Sequence, residues 1–465
     1  MIGDHRLFRL TLAATFSGLA LSASPCRADG VAPEVSRCLA AAPSGLEAYW
    51  KPLCASPRKD LTLHQMQAGQ AAFAAGYRQE AESLFDQVLT AIEAVYTESE
   101  SAAKARSVWY SESEKDFKGE PHERVMAYYY RGLLYLLAGD WDNAQASFKG
   151  GVLQGTFVGL DRQQSSTASL VWLEGWSRHC AGADSAAKDL FAEAHALNPG
   201  LAPPPIAANA LVIAETGTGP RKQAIGRDSD KLAYLEGKEG NDGLMAMVAG
   251  RRTELVEAED LFRLATSRNG RQMDELLADK SRTKDAVRTA GNSAVMVGSA
   301  AMVGSRLQNT KSNSSSNSKG AGAAGAAGAV GTAGAIISLI GIVASATAAA
   351  METTADIRTW ETLPHSIRLA AIPAPPEGLT AETLSVLSPD GSSVLSPRAR
   401  LQIASPPHCS LAWVGSASLI PSGRPTAVQP GTDAGAAGTC RTPSGAAAAL
   451  TSDICQRIGG TVIQP

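Results

Sequence analysis

One register of small and aromatic residues recurs three times in the first half of the chain and limits what that half can fold into. In its fullest form it reads Tyr128, Gly132, Tyr135, Gly139, Ala144 and Phe148. Gly132 falls on one helix beside Tyr128 and Tyr135, Gly139 marks a turn, and Ala144 and Phe148 lie one turn apart on a second helix. This spacing suits two antiparallel helices that approach where glycine leaves a hole for an aromatic ring. The register returns as Gly69, Gly76, Ala81 and Phe85, without an aromatic at the Tyr128 position. It returns again as Gly175, Gly182, Ala187, Phe191, Ala194 and Pro199. Leu197-Asn198-Pro199 closes the last helix, because proline cannot continue it and restricts the residue before it.

The register resembles the tetratricopeptide repeat, in which an aromatic knob enters a hole left by Gly and Ala; about three copies suffice to hide a stacked core. The fold class expected from it is mainly α, with repeats over residues 60–225. The packing residues are Gly69, Ala81, Phe85, Tyr128, Gly132, Tyr135, Ala144, Phe148, Gly175, Ala187, Phe191 and Pro199. The copies are not in tandem: 63 positions separate Ala81 from Ala144 and 43 separate Ala144 from Ala187, against a usual period of about 34. The first gap predicts an extended helix and an irregular crossing before Pro121 opens the next helix. Such an insertion lies on one face, often the binding face.

That crossing ends in a charged strip, Glu112 to Arg124, with Phe117 and Gly119 inside it. A solvated face of exposed pairs is one reading, with each pair contributing well under about 1 kcal/mol. A contact loop in which Phe117 anchors against the repeat or a partner is another. Acid/base catalysis is a third, but no nucleophile or metal set accompanies the carboxylates. On the contact reading Phe117, Arg124, Tyr129, Tyr130 and Trp141 are candidate partner contacts, and whichever aromatic is exposed becomes the anchor.

At the N-terminus His5, Arg6 and Arg9 precede the apolar run Leu10–Leu21, and small residues follow. Residues 1–28 therefore read as an export signal. Lipidation at Cys26 is the less favoured alternative, because Pro25 stands where a small residue is wanted. Cleavage leaves six cysteines in an oxidising compartment. Cys38 with Cys54, in the segment 29–59, and Cys440 with Cys455 are candidate disulfides closing short loops. No Cys or His spacing calls for a metal, and a net charge of −3 carries no basic signal for nucleic acid.

Three blocks, "SEKDFKGEPHERVMAYYYRGLLYLLAGDWDNA", "ALVIAETGTGPRK" and "ADIRTWETLPHSIRLAAI", resemble a largely uncharacterised group of exported bacterial envelope proteins with a repeat domain, a Gly/Ala-rich apolar segment and a short β-rich end. The resemblance covers residues 61–378. It implies an envelope protein, with a place beside cell-wall enzymes as one option, and carries no established activity. The Cys-containing C-terminal extension lies outside it.

Residues 226–290 predict a helical region, with helices at Thr253–Ala265 and Arg271–Ala290. Residues 291–351 are a Gly/Ala-rich apolar hairpin with a Ser/Asn linker at 308–319, and no charge occurs over 289–305 or 320–351. Its Gly320–Gly325 matches a dinucleotide fingerprint only formally, because no strand precedes it; no cofactor is expected. Val330–Met351 just reaches the roughly 20 residues of a membrane span, yet its Ala and Gly content favours a soluble or interfacial hairpin over an inserted one. Residues 352–420 predict a small β-rich region with strands at "SIRLAAI", "TLSVLS", "ARLQIAS" and "CSLAWVGSASL". Residues 421–465 read as a low-complexity, disordered tail. His179-Cys180 and His408-Cys409 are adjacent pairs whose side chains diverge, so neither forms a dyad.

These features predict a non-catalytic scaffold of the bacterial envelope, in the periplasm or at the outer membrane, that holds a peptide or protein on a repeat surface. The alternative is a membrane-associated assembly protein whose Gly/Ala hairpin inserts in or lies on a membrane while the repeats dock partners.

Overall fold

In the computed structural model, residues 33–93, 116–156, 167–225, 231–266 without 241, 355–394, 400–415 without 405 and 407, and 438–463 without 451 are described. The export signal, Cys26, the Arg271–Ala290 helix and the Gly/Ala hairpin with its linker lie outside them.

Two short helices, α1 (Pro33–Ala40) and α2 (Glu47–Ala55), precede three helical hairpins. The first is α3 (Leu61–Ala75) with α4 (Arg78–Glu93), the second α5 (Pro121–Ala138) with α6 (Trp141–Thr156), the third α7 (Ala168–Cys180) with α8 (Asp184–Leu197). Their turns use Gly76, Gly139 and Gly182, each at positive φ, a backbone that glycine adopts without strain. In each hairpin a Gly faces a Phe: a Cβ on Gly69 would lie 3.1 Å from the Phe85 ring, one on Gly175 3.0 Å from Phe191, and one on Gly132 would collide with Phe148. Ala81, Ala144 and Ala187 are buried beside them. Tyr128 covers Gly150 and Gly151, the Arg131 guanidinium stacks on Tyr135, and α8 stops two residues before Pro199.

The chain then turns to β structure, and this overturns the expectation of a mainly α protein with a small C-terminal β region. β1 (Ala210–Thr216) is an inner strand of a five-stranded sheet ordered β6-β7-β1-β10-β9, formed with β6 (Val256–Asp260), β7 (Ser366–Ile372), β9 (Arg400–Ala404) and β10 (Ser410–Gly415). β1 runs parallel to β10, and the other pairs are antiparallel. β2 (Arg221–Ile225) and β3 (Lys231–Leu235) pair as a ribbon. β4 (Met245–Val248) lies between β5 (Arg251–Glu254) and β8 (Leu384–Leu387) in a second sheet.

These elements stack in three layers. One face of the large sheet, carrying Leu211, Ile213, Ile367, Leu369, Leu411 and Trp413, shares a core with the helical hairpins. The other face, carrying Val212, Ala214, Ala370, Ile372, Ala412 and Val414, packs on Ala246, Val248, Leu384 and Val386 of the small sheet. Both faces of β1 are therefore buried, which is why its sequence is a continuous apolar run without alternation.

The helix expected at Thr253–Ala265 is instead part of β5, all of β6 and the short helix α9 (Leu261–Thr266). Its apolar spacing resembled a helix because β6 is bulged: the register against β7 shifts between Glu257 and Glu259, and a bulge breaks the two-residue alternation.

The tail expected to be disordered also folds, from residue 438 onward. β11 (Gly438–Arg441) pairs with β12 (Ala447–Leu450) and β13 (Thr461–Ile463), with α10 (Ser452–Arg457) between the last two. The Cys440–Cys455 disulfide and docking against α1 and α2 supply the order that its few large apolar residues could not.

Candidate functional site

The charged strip ends in a buried junction that draws on all three of the blocks quoted above. Glu120 caps α5 and Pro121 opens it; the Glu120 N–H donates to Glu123 Oε2 at 2.6 Å, completing a reciprocal capping box. The other Glu123 oxygen accepts the Trp360 N–H at 2.7 Å and the Thr359 hydroxyl at 3.2 Å. Lys222, from β2, places Nζ 3.4 Å from Glu123, 3.5 Å from Glu120 and 2.6 Å from the Arg358 carbonyl. The Phe117 ring lies within 5.4 Å of both the Lys222 ammonium and the Arg358 guanidinium. Arg358 in turn holds Asp60 and Asp356, each at 2.7 Å.

Phe117 therefore anchors against this chain's own junction. Buried there, it is no surface contact, and Arg124 is turned back to the Gly119 carbonyl at 2.9 Å. Tyr129 and Tyr130 are also corrected as partner contacts, because both are fully buried where α5 meets the large sheet. There the Glu215 carboxylate of β1 accepts the Tyr130 hydroxyl at 2.7 Å and the Trp413 indole N–H at 2.8 Å. Tyr129 faces the same carboxylate without standard hydrogen-bond geometry. Desolvation raises the Glu215 pKa to about 7 against these donors. Gln70 continues the network to the Tyr130 hydroxyl and the Trp360 indole at 2.7 and 2.8 Å. A second buried carboxylate, Glu259, accepts from Ser169 at 2.7 Å and is raised to about 8 by desolvation.

Trp141, half-buried, borders a shallow depression of about 420 Å³ with Gly139, Asp140, Asp142, Ala181, Cys180 and His408. Asp140 is already used there, accepting from the Asn143 amide groups at the start of α6. Cys180 is bonded to Cys409, pinning the end of α7 to the start of β10. The two short disulfides, Cys38–Cys54 and Cys440–Cys455, are present as their spacing suggested. The third was missed, although six cysteines with four assigned leave only these two. The disulfides indicate an oxidising, exported compartment. Among the described residues, no helix is long and apolar enough to cross a membrane.

An open cleft of about 800 Å³ runs along α3 and α4. Thr62, Gln65, Gln79, Glu82, Ser83, Asp86, Gln87 and Thr90 line it, together with Asp116 and Lys118 and with Pro443 of the terminal module. Gln65 donates to Gln87 at 2.8 Å, Ser83 donates to the Gly459 carbonyl at 2.6 Å, and Asp86 binds Arg131 at 2.7 Å. Desolvation raises the pKa of Glu82 in spite of Arg131. Amides and hydroxyls of this kind complement the N–H and C=O groups of an extended peptide. No Cys or His lines the cleft, and no cluster of three metal-ligating side chains occurs among the described residues. Sequence reasoning passed over Gln65 and Gln87, which carry no motif.

No protein-family model, curated protein or solved structure matches this chain.

Proposed function

We propose that the protein is a non-catalytic scaffold of the bacterial cell envelope, located in the periplasm, whose helical hairpins are tetratricopeptide-like repeats and whose α3–α4 cleft holds a peptide segment of a partner protein. The observation that carries this reading is the polar lining of the cleft: glutamine amides and hydroxyls on a rigid helical hairpin, with no cysteine or histidine among them. Rigid presentation lowers the ordering cost of binding an extended chain. The disulfides support the exported setting.

A photo-crosslinking residue in place of Thr90, in the full-length exported protein, is expected to capture a protein. Its purified form should bind at least about tenfold more weakly to the Gln79→Ala/Gln87→Ala variant. Unchanged binding by that variant, with unchanged thermal unfolding, would overturn the assignment of the cleft.

A further inference from the structure

The link between α8 and β1 contains Ala202-Pro203-Pro204-Pro205-Ile206-Ala207. Ile206 is fully exposed, and Pro203, Pro205 and Ala207 are exposed beside it. Both ends of the segment are fastened. Leu201 is buried and its N–H donates to the Asn198 carbonyl at 2.9 Å, while the Ala202 carbonyl accepts the Trp172 indole N–H at 3.1 Å. At the far end the Ala208 N–H donates to the Pro205 carbonyl at 2.8 Å, and the Ala208 carbonyl lies 2.9 Å from His179 Nε2.

Three successive prolines remove the N–H donors from residues 203 to 205 and fix their φ, and each also pushes the residue before it into extended backbone. Residues 202–205 can therefore join neither helix nor sheet ladder, and their favoured form is the polyproline II conformation; Ile206 and Ala207 form the turn that the Ala208 N–H closes onto the Pro205 carbonyl. With both ends held, an apolar tip is presented on a stiff support that has already lost most of its freedom.

We propose that residues 202–207 are a docking ligand of this protein, taken by a partner protein whose binding face is a shallow groove of aromatic side chains. Proline rings stack on Tyr and Trp faces, and such grooves accept the polyproline form with little ordering cost. Ile206 supplies the apolar side chain for a pocket at the end of the groove. The segment follows the third hairpin and the cleft lies on the first, so the two sites share no residue.

The test places a photo-crosslinking residue at Ala207 of the full-length exported protein, purifies the captured protein and measures its affinity by calorimetry. Ile206→Asp is expected to weaken binding by about tenfold or more. The Pro203→Ala/Pro204→Ala/Pro205→Ala variant should weaken it several-fold, and an acetylated peptide of residues 201–208 should compete. Thermal unfolding of both variants should match wild type, and Gln79→Ala/Gln87→Ala should leave this affinity unchanged. Absence of a cross-linked protein, or wild-type affinity in both loop variants, overturns the proposal. Loss of affinity only in the cleft variant overturns it while sparing the cleft.

Discussion

Glu123 on α5 and Glu215 on β1 are both buried carboxylates between the helices and the β structure, yet their surroundings differ in kind. Glu123 has an ammonium, Lys222, together with two backbone N–H groups and a hydroxyl. Glu215 has only neutral donors, from Tyr130 and Trp413. Neutral donors lower its pKa, but desolvation is the larger effect and leaves it near 7. With no cation in its desolvated pocket, the Glu215 carboxyl carries its proton into the neutral range.

The largest expected effect breaks the Glu123 side of this comparison. Lys222→Met leaves Glu123 buried without its cation and should cost about 3–5 kcal/mol of stability in urea unfolding at pH 7. The double variant Lys222→Met/Glu123→Gln should recover much of it.

The next concerns pH. Glu215 binds its proton more tightly in the folded chain than in the unfolded one, where 4.5 applies. Its stabilising contribution is therefore complete below pH 4.5 and is lost as pH rises through about 7, amounting to about 3 kcal/mol. Urea unfolding followed from pH 4.5 to 8 should show this decline, and Glu215→Gln should flatten its part of the curve. Glu259 acts in the same direction, with its window reaching about 8.

A smaller effect sharpens the contrast. Trp413→Phe removes the indole donor to Glu215. Its pH-independent cost is the lost packing. The added cost should rise from about 1 kcal/mol at pH 5, against the protonated acid, to about 2 kcal/mol at pH 8, against the anion. Equal costs at both pH values would show that Glu215 does not change charge over that range.

The contrast also shows where sequence reading succeeds. Gly132 and Phe148 lie one hairpin apart, so their contact is written in local spacing. The short disulfide loops are legible for the same reason. The start of α5 was legible from Pro121, but the role of Glu123 was not: its box partner is Glu120 rather than Ser or Thr, and Lys222 and Trp360 arrive from 99 and 237 residues away. Glu215 sat inside an apolar run, "ALVIAET", and nothing in its neighbourhood marked it. Of the polar cleft only Asp116 and Lys118 were singled out, because Gln65, Gln79 and Gln87 look like ordinary helix residues until the fold gathers them with Pro443 around one cleft.

The sequence by itself determined the helical hairpins, their glycine turns and the two short disulfides, because those rest on contacts between residues close along the chain. Only the tertiary structure decided that β1 pairs with β7 and β10, that a helix-like spacing became a bulged strand, that the tail folds on α1 and α2, and that Phe117 and Glu123 of the charged strip are turned inward. Those outcomes depend on burial between segments more than a hundred residues apart, where side-chain spacing within any one segment is compatible with several partners and the shared core selects among them.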